Sequence, residues 1–135
     1  MKRIIITVVV LLIIGIQLIP AGRTNPEVIS DFDGPAEVKA ILQRSCYDCH
    51  SNETVWPWYS HVAPLSWFVV HHVDEGRMHL NFSNWEPVRM IPYVREEIYK
   101  EVAEGNMPLK SYVLIHRKAR LSAAEKDILQ AWAGE

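Results

Sequence analysis

Cysteine is almost missing from this chain: 135 residues contain two, and both fall in the pentapeptide Cys46-Tyr47-Asp48-Cys49-His50. No pair is left to staple the fold elsewhere, and no N-terminal cysteine is available for lipidation. Acidic residues are absent from the first 22 positions, where Lys2 and Arg3 supply the only charge; residues 23–135 carry 12 basic against 16 acidic side chains. A surplus of Lys and Arg is what non-specific nucleic-acid binding requires, so nucleic acid is excluded as a partner class. Internal repeats, low-complexity tracts and the alternating pattern of a half-buried strand are missing as well, which points to an all-α protein.

The length suits one domain, and a domain of this size has a modest core. Five Trp, five Tyr and three Phe fit a chain that buries a large apolar cofactor. Three regions are expected: residues 1–22 as a membrane anchor or signal segment, 23–34 as a linker, and 35–135 as the folded domain.

From Ile4 to Ile19 the chain is apolar except for Thr7, Gly15 and Gln17, and Pro20-Ala21-Gly22 ends the run. Sixteen helical residues reach about 24 Å, against about 30 Å for a bilayer's hydrocarbon core. Ile19-Pro20-Ala21 is a poor cleavage site, since a bulky branched residue stands where a small one is preferred. The expectation is therefore an uncleaved transmembrane helix. With Lys2 and Arg3 ahead of the run, the positive-inside rule places the domain on the outer, periplasmic side of the cell membrane.

Beyond the linker, Val38, Ile41 and Leu42 predict a helix from Pro35 to Ser45 that runs into the cysteines. Val55 to Tyr59 reads as a loop. Pro64 opens a helix to about Leu80, with Leu65, Phe68, Val69, His72, Val73 and Leu80 as its apolar stripe. Asn81 to Trp85 is a break. Ile91, Val94, Ile98 and Val102 give a further helix to Glu104, with Gly105 as its left-handed cap. Residues 109–116 read as a short helix, and Ser122 with Glu125 forms a capping box for a last helix lined by Leu121, Ala124, Ile128, Leu129 and Trp132.

The pentapeptide matches C-x-x-C-H, in which two thiols one turn apart each add to a haem vinyl group and the adjacent imidazole reaches the iron. Attachment of this kind takes place outside the cytoplasm, so an export segment would support it. A structural zinc site needs four ligands and no second Cys pair exists. A thioredoxin-like dithiol needs a βαβ context that is absent. The expected cofactor is one covalent haem c, with Cys46 and Cys49 as attachment points and His50 as the proximal iron ligand.

The iron's other axial ligand has several candidates: Met78, Met90, Met107, His61, His71, His72, His79 and His116. Met107 stands out because Gly105-Asn106-Met107-Pro108 follows a helix cap and presents the thioether from a stiff loop. His72 is the main alternative, sitting in the apolar stripe of its helix. A Met/His pair raises the haem potential and suits an electron carrier. The expected function is one-electron transfer at the outer membrane face, with no enzymatic step, an unidentified redox partner protein, and Trp56, Trp58 and Trp67 as pocket walls. The competing function is a haem peroxidase or gas sensor with an open distal site, in which His71, His72 or Arg77 would donate a hydrogen bond.

The order of helix, Cys46-x-x-Cys49-His50, further helices, Met107-Pro108 and C-terminal helix resembles the class I cytochromes c over residues 35 to 133. More narrowly, residues 46–54, Trp56-Pro57-Trp58-Tyr59-Ser60, Glu75-Gly76-Arg77, Leu80-Asn81-Phe82-Ser83 and Met107-Pro108-Leu109 resemble the bacterial haem-binding domain family of membrane-anchored proteins. That resemblance implies helices around one haem, with Cys46, Cys49 and His50 in the roles above and Met107 as distal ligand. It says nothing of the electron donor or acceptor.

Overall fold

The computed structural model describes residues 1–134. Eight α-helices make up its regular structure: α1 (Lys2–Ile16), α2 (Ala36–Ser45), α3 (Tyr47–His50), α4 (Leu65–His79), α5 (Trp85–Val88), α6 (Val94–Ala103), α7 (Lys110–Ile115) and α8 (Ala123–Ala133). Short 3-10 turns cover Trp58–His61 and Arg117–Ala119. Among the described residues no strand forms, and a lone parallel bridge joins Ser30 to Asn84. The protein is all-α.

Helix α1 overturns the expected anchor. It is 15 residues long, or about 22 Å, and no helix among the described residues is long and apolar enough to cross a membrane. The apolar run outlasts the helix because the chain turns at Gln17, whose side chain is engaged elsewhere. Its Nε2 donates to the Ala63 carbonyl at 3.1 Å and its Oε1 accepts from the Ala63 N–H at 3.0 Å. Trp67 Nε1 donates to the Ile19 carbonyl at 3.4 Å. The last residues of the run are thus tied to the domain instead of extending a span. With the transmembrane helix goes the expected single-pass membrane localisation, and with it the placement of the domain that was built on that span.

Residues 23–34 form no helix and lie along the domain. Arg23 donates to the Ser60 carbonyl, Asn25 to the Thr54 carbonyl, and Ile29 N–H to the Ser83 carbonyl. Phe32 enters the core completely, meeting Phe82 edge-on at 6.0 Å and Trp132 at 5.6 Å. Burying aromatic side chains supplies the largest apolar areas available to a small core, and here Phe32, Tyr47, Phe82, Trp85 and Trp132 share one cluster with Leu42 and Leu129.

Most predicted helices appear, with instructive shifts. The capping box at Ser122 and Glu125 is present and starts α8, which packs on α6 and α2. Gly105 takes the left-handed conformation, with φ at 75°. The helix predicted from Ile91 begins at Val94, because Tyr93 itself adopts a left-handed backbone (φ 62°) and breaks the turn before it. On α4 the buried face is Ser66, Val70, Val73 and Gly76; of the expected stripe Val73 lies on it, while Leu65 and Phe68 are exposed. Close approach decides that face: α4 lies against α3, and a Cβ on Gly76 would stand 2.5 Å from the Cys49 carbonyl oxygen. Small side chains win over large ones where two backbones touch.

Candidate functional site

Helix α2 ends at Ser45, and Cys46 bridges directly into the single turn α3, so Cys46, Cys49 and His50 sit on consecutive turns of nearly continuous helix. The Cys49 and His50 N–H groups both donate to the Cys46 carbonyl, at 3.1 and 2.9 Å. The loop that follows is fixed by backbone and side-chain bonds together. Asp48 accepts from the Val55 N–H at 3.0 Å, and Thr54 Oγ1 donates to the Asp48 carbonyl at 2.8 Å. Arg77 donates to the Ser51 carbonyl (2.7 Å), to Thr54 Oγ1 (2.9 Å), to the Thr24 carbonyl (2.9 Å) and to Asn25 Oδ1 (3.1 Å). Its guanidinium is therefore consumed in holding the loop and does not line the site.

A cavity of about 650 Å³ opens beside this turn, within the size range of sites that enclose a cofactor. Cys46, Cys49, His50 and Met107 all line it, drawn from α2–α3 and from the loop between α6 and α7. Leu80, Phe82, Val94, Ile98 and Val102 supply apolar wall. The predicted wall residues Trp56, Trp58 and Trp67 are elsewhere: none lines the cavity, and Trp58 is 77% exposed. Met78 and Met90 are exposed and away from it. His72 and His79 do line it, from α4, with His72 Nδ1 bonded to the Phe68 carbonyl at 2.9 Å. His61 and His71 are exposed, and His116 pairs with the Tyr59 hydroxyl at 2.7 Å.

The chemistry of these donors can be read from their partners. His50 Nδ1 lies 2.9 Å from the Gly76 carbonyl and 3.1 Å from the Leu80 carbonyl. Two acceptors oblige Nδ1 to carry the proton, which leaves Nε2 with a free lone pair, the form that binds a metal. Burial lowers the pKa of His50, holding the ring neutral. Burial also pushes the Cys46 thiol up to about 12 and the Cys49 thiol up to about 11. A reactive dithiol needs the opposite shift, so these surroundings lend no support to a thioredoxin-like couple. Two neutral thiols at an apolar wall match instead the edge of an apolar macrocycle. No group of three or more His, Cys, Asp and Glu side chains among the described residues could hold a bare metal ion, which leaves the zinc reading without ligands.

Sequence reasoning missed two contributors. Tyr112, on α7, lines the cavity and donates to Asp48 Oδ2 at 2.6 Å. Gly76 makes room for the Cys49 carbonyl, and a glycine in the interior of an otherwise apolar helix is a signal of close backbone approach.

A helical shell around a largely apolar cavity, with an imidazole fixed by backbone carbonyls and two half-buried thiols at its wall, fits a haem-binding protein. The chain belongs to the haem-binding domain family, whose model matches residues 11–135. Neither curated proteins nor solved structures provide a match.

Proposed function

We propose that this protein is a one-electron carrier of the c type, holding one haem through thioether bonds from Cys46 and Cys49, with His50 and Met107 as axial ligands. The observation that carries this reading is that all four side chains line one cavity although Met107 stands more than fifty positions after the motif. Bound haem supplies Fe(III)/Fe(II) chemistry. The chain's own residues bind and orient it. His50 offers Nε2 because Gly76 and Leu80 hold its other nitrogen. Cys46 and Cys49, one turn apart at the cavity wall, would hold the haem by adding across its two vinyl groups, each S–H proton going to vinyl carbon as the C–S bond forms. Leu80, Phe82 and Val102, on the cavity wall, would keep water from the macrocycle. Met107, which lines the same cavity, would offer its thioether to the iron as a second protein ligand, which would favour electron transfer over substrate chemistry and raise the potential.

The test is spectroscopic. Protein produced with the cytochrome c maturation machinery should give a pyridine haemochrome of the two-thioether type, and Cys46→Ala should shift it toward the one-thioether type. The ferric protein should show an iron–thioether charge-transfer band that Met107→Ala abolishes, with a lower reduction potential. An unchanged spectrum in Met107→Ala would remove Met107 as ligand. Retention of the band in Met107→Ala but its loss on replacing Met78 or Met90 would move the ligand elsewhere.

A further inference from the structure

Among the helices around the cavity, α7 is held most loosely. None of its residues is buried, Leu114 and Ile115 are 75% and 64% exposed, and among the described residues its main packing partner is the succeeding turn Arg117–Ala119. Its N-terminal approach is tied to α6 through the Asn106 and Met107 N–H groups, which donate to the Glu101 carbonyl at 3.0 and 3.1 Å. Its C-terminal end is tied by Ala119, which is buried. Between those ends, two side-chain bonds fasten it to the rest of the domain. The Tyr112 hydroxyl donates to Asp48 Oδ2, and His116 Nε2 pairs with the Tyr59 hydroxyl. The Tyr112 and His116 rings stack on each other at 4.4 Å and 13°, so the two bonds form one unit.

Asp48 is also one of the two residues between the cysteines. Its side chain is fully engaged, Oδ1 with the Val55 N–H and Oδ2 with Tyr112. The arm that carries Met107 is thus latched to the same turn that carries Cys49 and His50.

We propose that Tyr112 and Asp48 are positioning residues: their hydrogen bond closes the Met107 arm over the cavity and sets how often Met107 yields its place to a small exogenous ligand. This inference rests on the assignment of Met107 above. An arm without buried side chains has little apolar contact to hold it down, so a hydrogen bond to a carboxylate makes up a large share of its closing free energy. Apparent affinity for a competing ligand scales with the fraction of open arm.

The experiment uses the ferrous holoprotein titrated with carbon monoxide and the ferric holoprotein titrated with imidazole. Removing the bond in Tyr112→Phe should raise the affinity for both about tenfold, and replacing the charged acceptor by a neutral amide in Asp48→Asn should raise it by a smaller factor. The double variant should gain no more than Tyr112→Phe alone, since the Asp48 change acts only through the same bond. Hydrogen exchange at the Val113 and His116 amides should quicken in both variants while Leu129 and Trp132 stay protected, which separates arm opening from general loosening. Wild-type affinities in both single variants would overturn the proposal, as would equal acceleration of exchange throughout the domain. If the wild-type ferric spectrum lacks the thioether band, the Met107 assignment fails instead; faster exchange confined to 107–116 would then still sustain the latch, and its absence would end it.

Discussion

The two sides of the cavity are built on opposite plans. On the cysteine side, α3 and α4 touch backbone to backbone, His50 is pinned by two carbonyls, and Arg77 spends four hydrogen bonds on the adjoining loop. On the methionine side, Met107 rides an arm with no buried residue in its helix, tied down by side-chain bonds. The first side fixes geometry through atoms that cannot move without the fold moving. The second can move while the fold stays. A carrier needs the first to keep the cofactor, and the second determines whether the site stays closed.

Glycine substitutions break this comparison most directly. Ala at position 76 would place a Cβ 2.5 Å from the Cys49 carbonyl oxygen and 3.0 Å from its carbonyl carbon, backbone atoms that cannot step aside. Gly76→Ala should cost about 3 kcal/mol and lower the yield of holoprotein, read by denaturant unfolding of what does mature. On the other side, a Cβ on Gly105 meets nothing within 4 Å, and only its left-handed backbone (φ 75°) resists substitution. Gly105→Ala should cost about 1 kcal/mol and leave the Cys46–His50 turn intact. Equal losses in the two variants would mean that both sides are constrained in the same way.

How far this was legible in the sequence follows the same division. The cysteine side announces itself, because Cys46, Cys49 and His50 are contiguous and their chemistry depends on spacing alone. Helices also showed through where an apolar period met a cap, as at Ser122 and Gly105. The buried face of α4 did not, because hydropathy points to Phe68 and Leu65 while close approach to α3 selects Ser66, Val70 and Gly76. The membrane helix was misread for a related reason: an apolar run has no mark showing that Gln17 turns back to grip Ala63. The Tyr112–Asp48 bond spans 64 positions, and nothing in either residue's local sequence names its partner. Long-range polar pairs are set by the fold and are visible only after it.

The smallest effect concerns what holds α2, the helix that delivers Cys46, against α8. Arg44 Nη1 is bonded to Glu125 Oε1, and Glu125 also accepts from the Ser122 N–H at 2.8 Å. The Arg44 guanidinium, and after it the Ser122 N–H, hold the Glu125 carboxyl down at about 2, from an ordinary 4.5. A carboxyl whose pKa is depressed on folding adds stability that is complete above about 4.5 and is lost as the pH falls toward 2. Both side chains remain partly exposed, so solvent screening limits the contribution to under about 1 kcal/mol. Glu125→Gln keeps the capping geometry and removes the charge. Its melting temperature should lie slightly below that of the wild type at pH 6 and converge with it by pH 2, and the gap at pH 6 should narrow in high salt. Parallel curves across that range would show that the Glu125 charge adds nothing to the seating of α2, which then rests on the packing of Val38, Ile41 and Leu42.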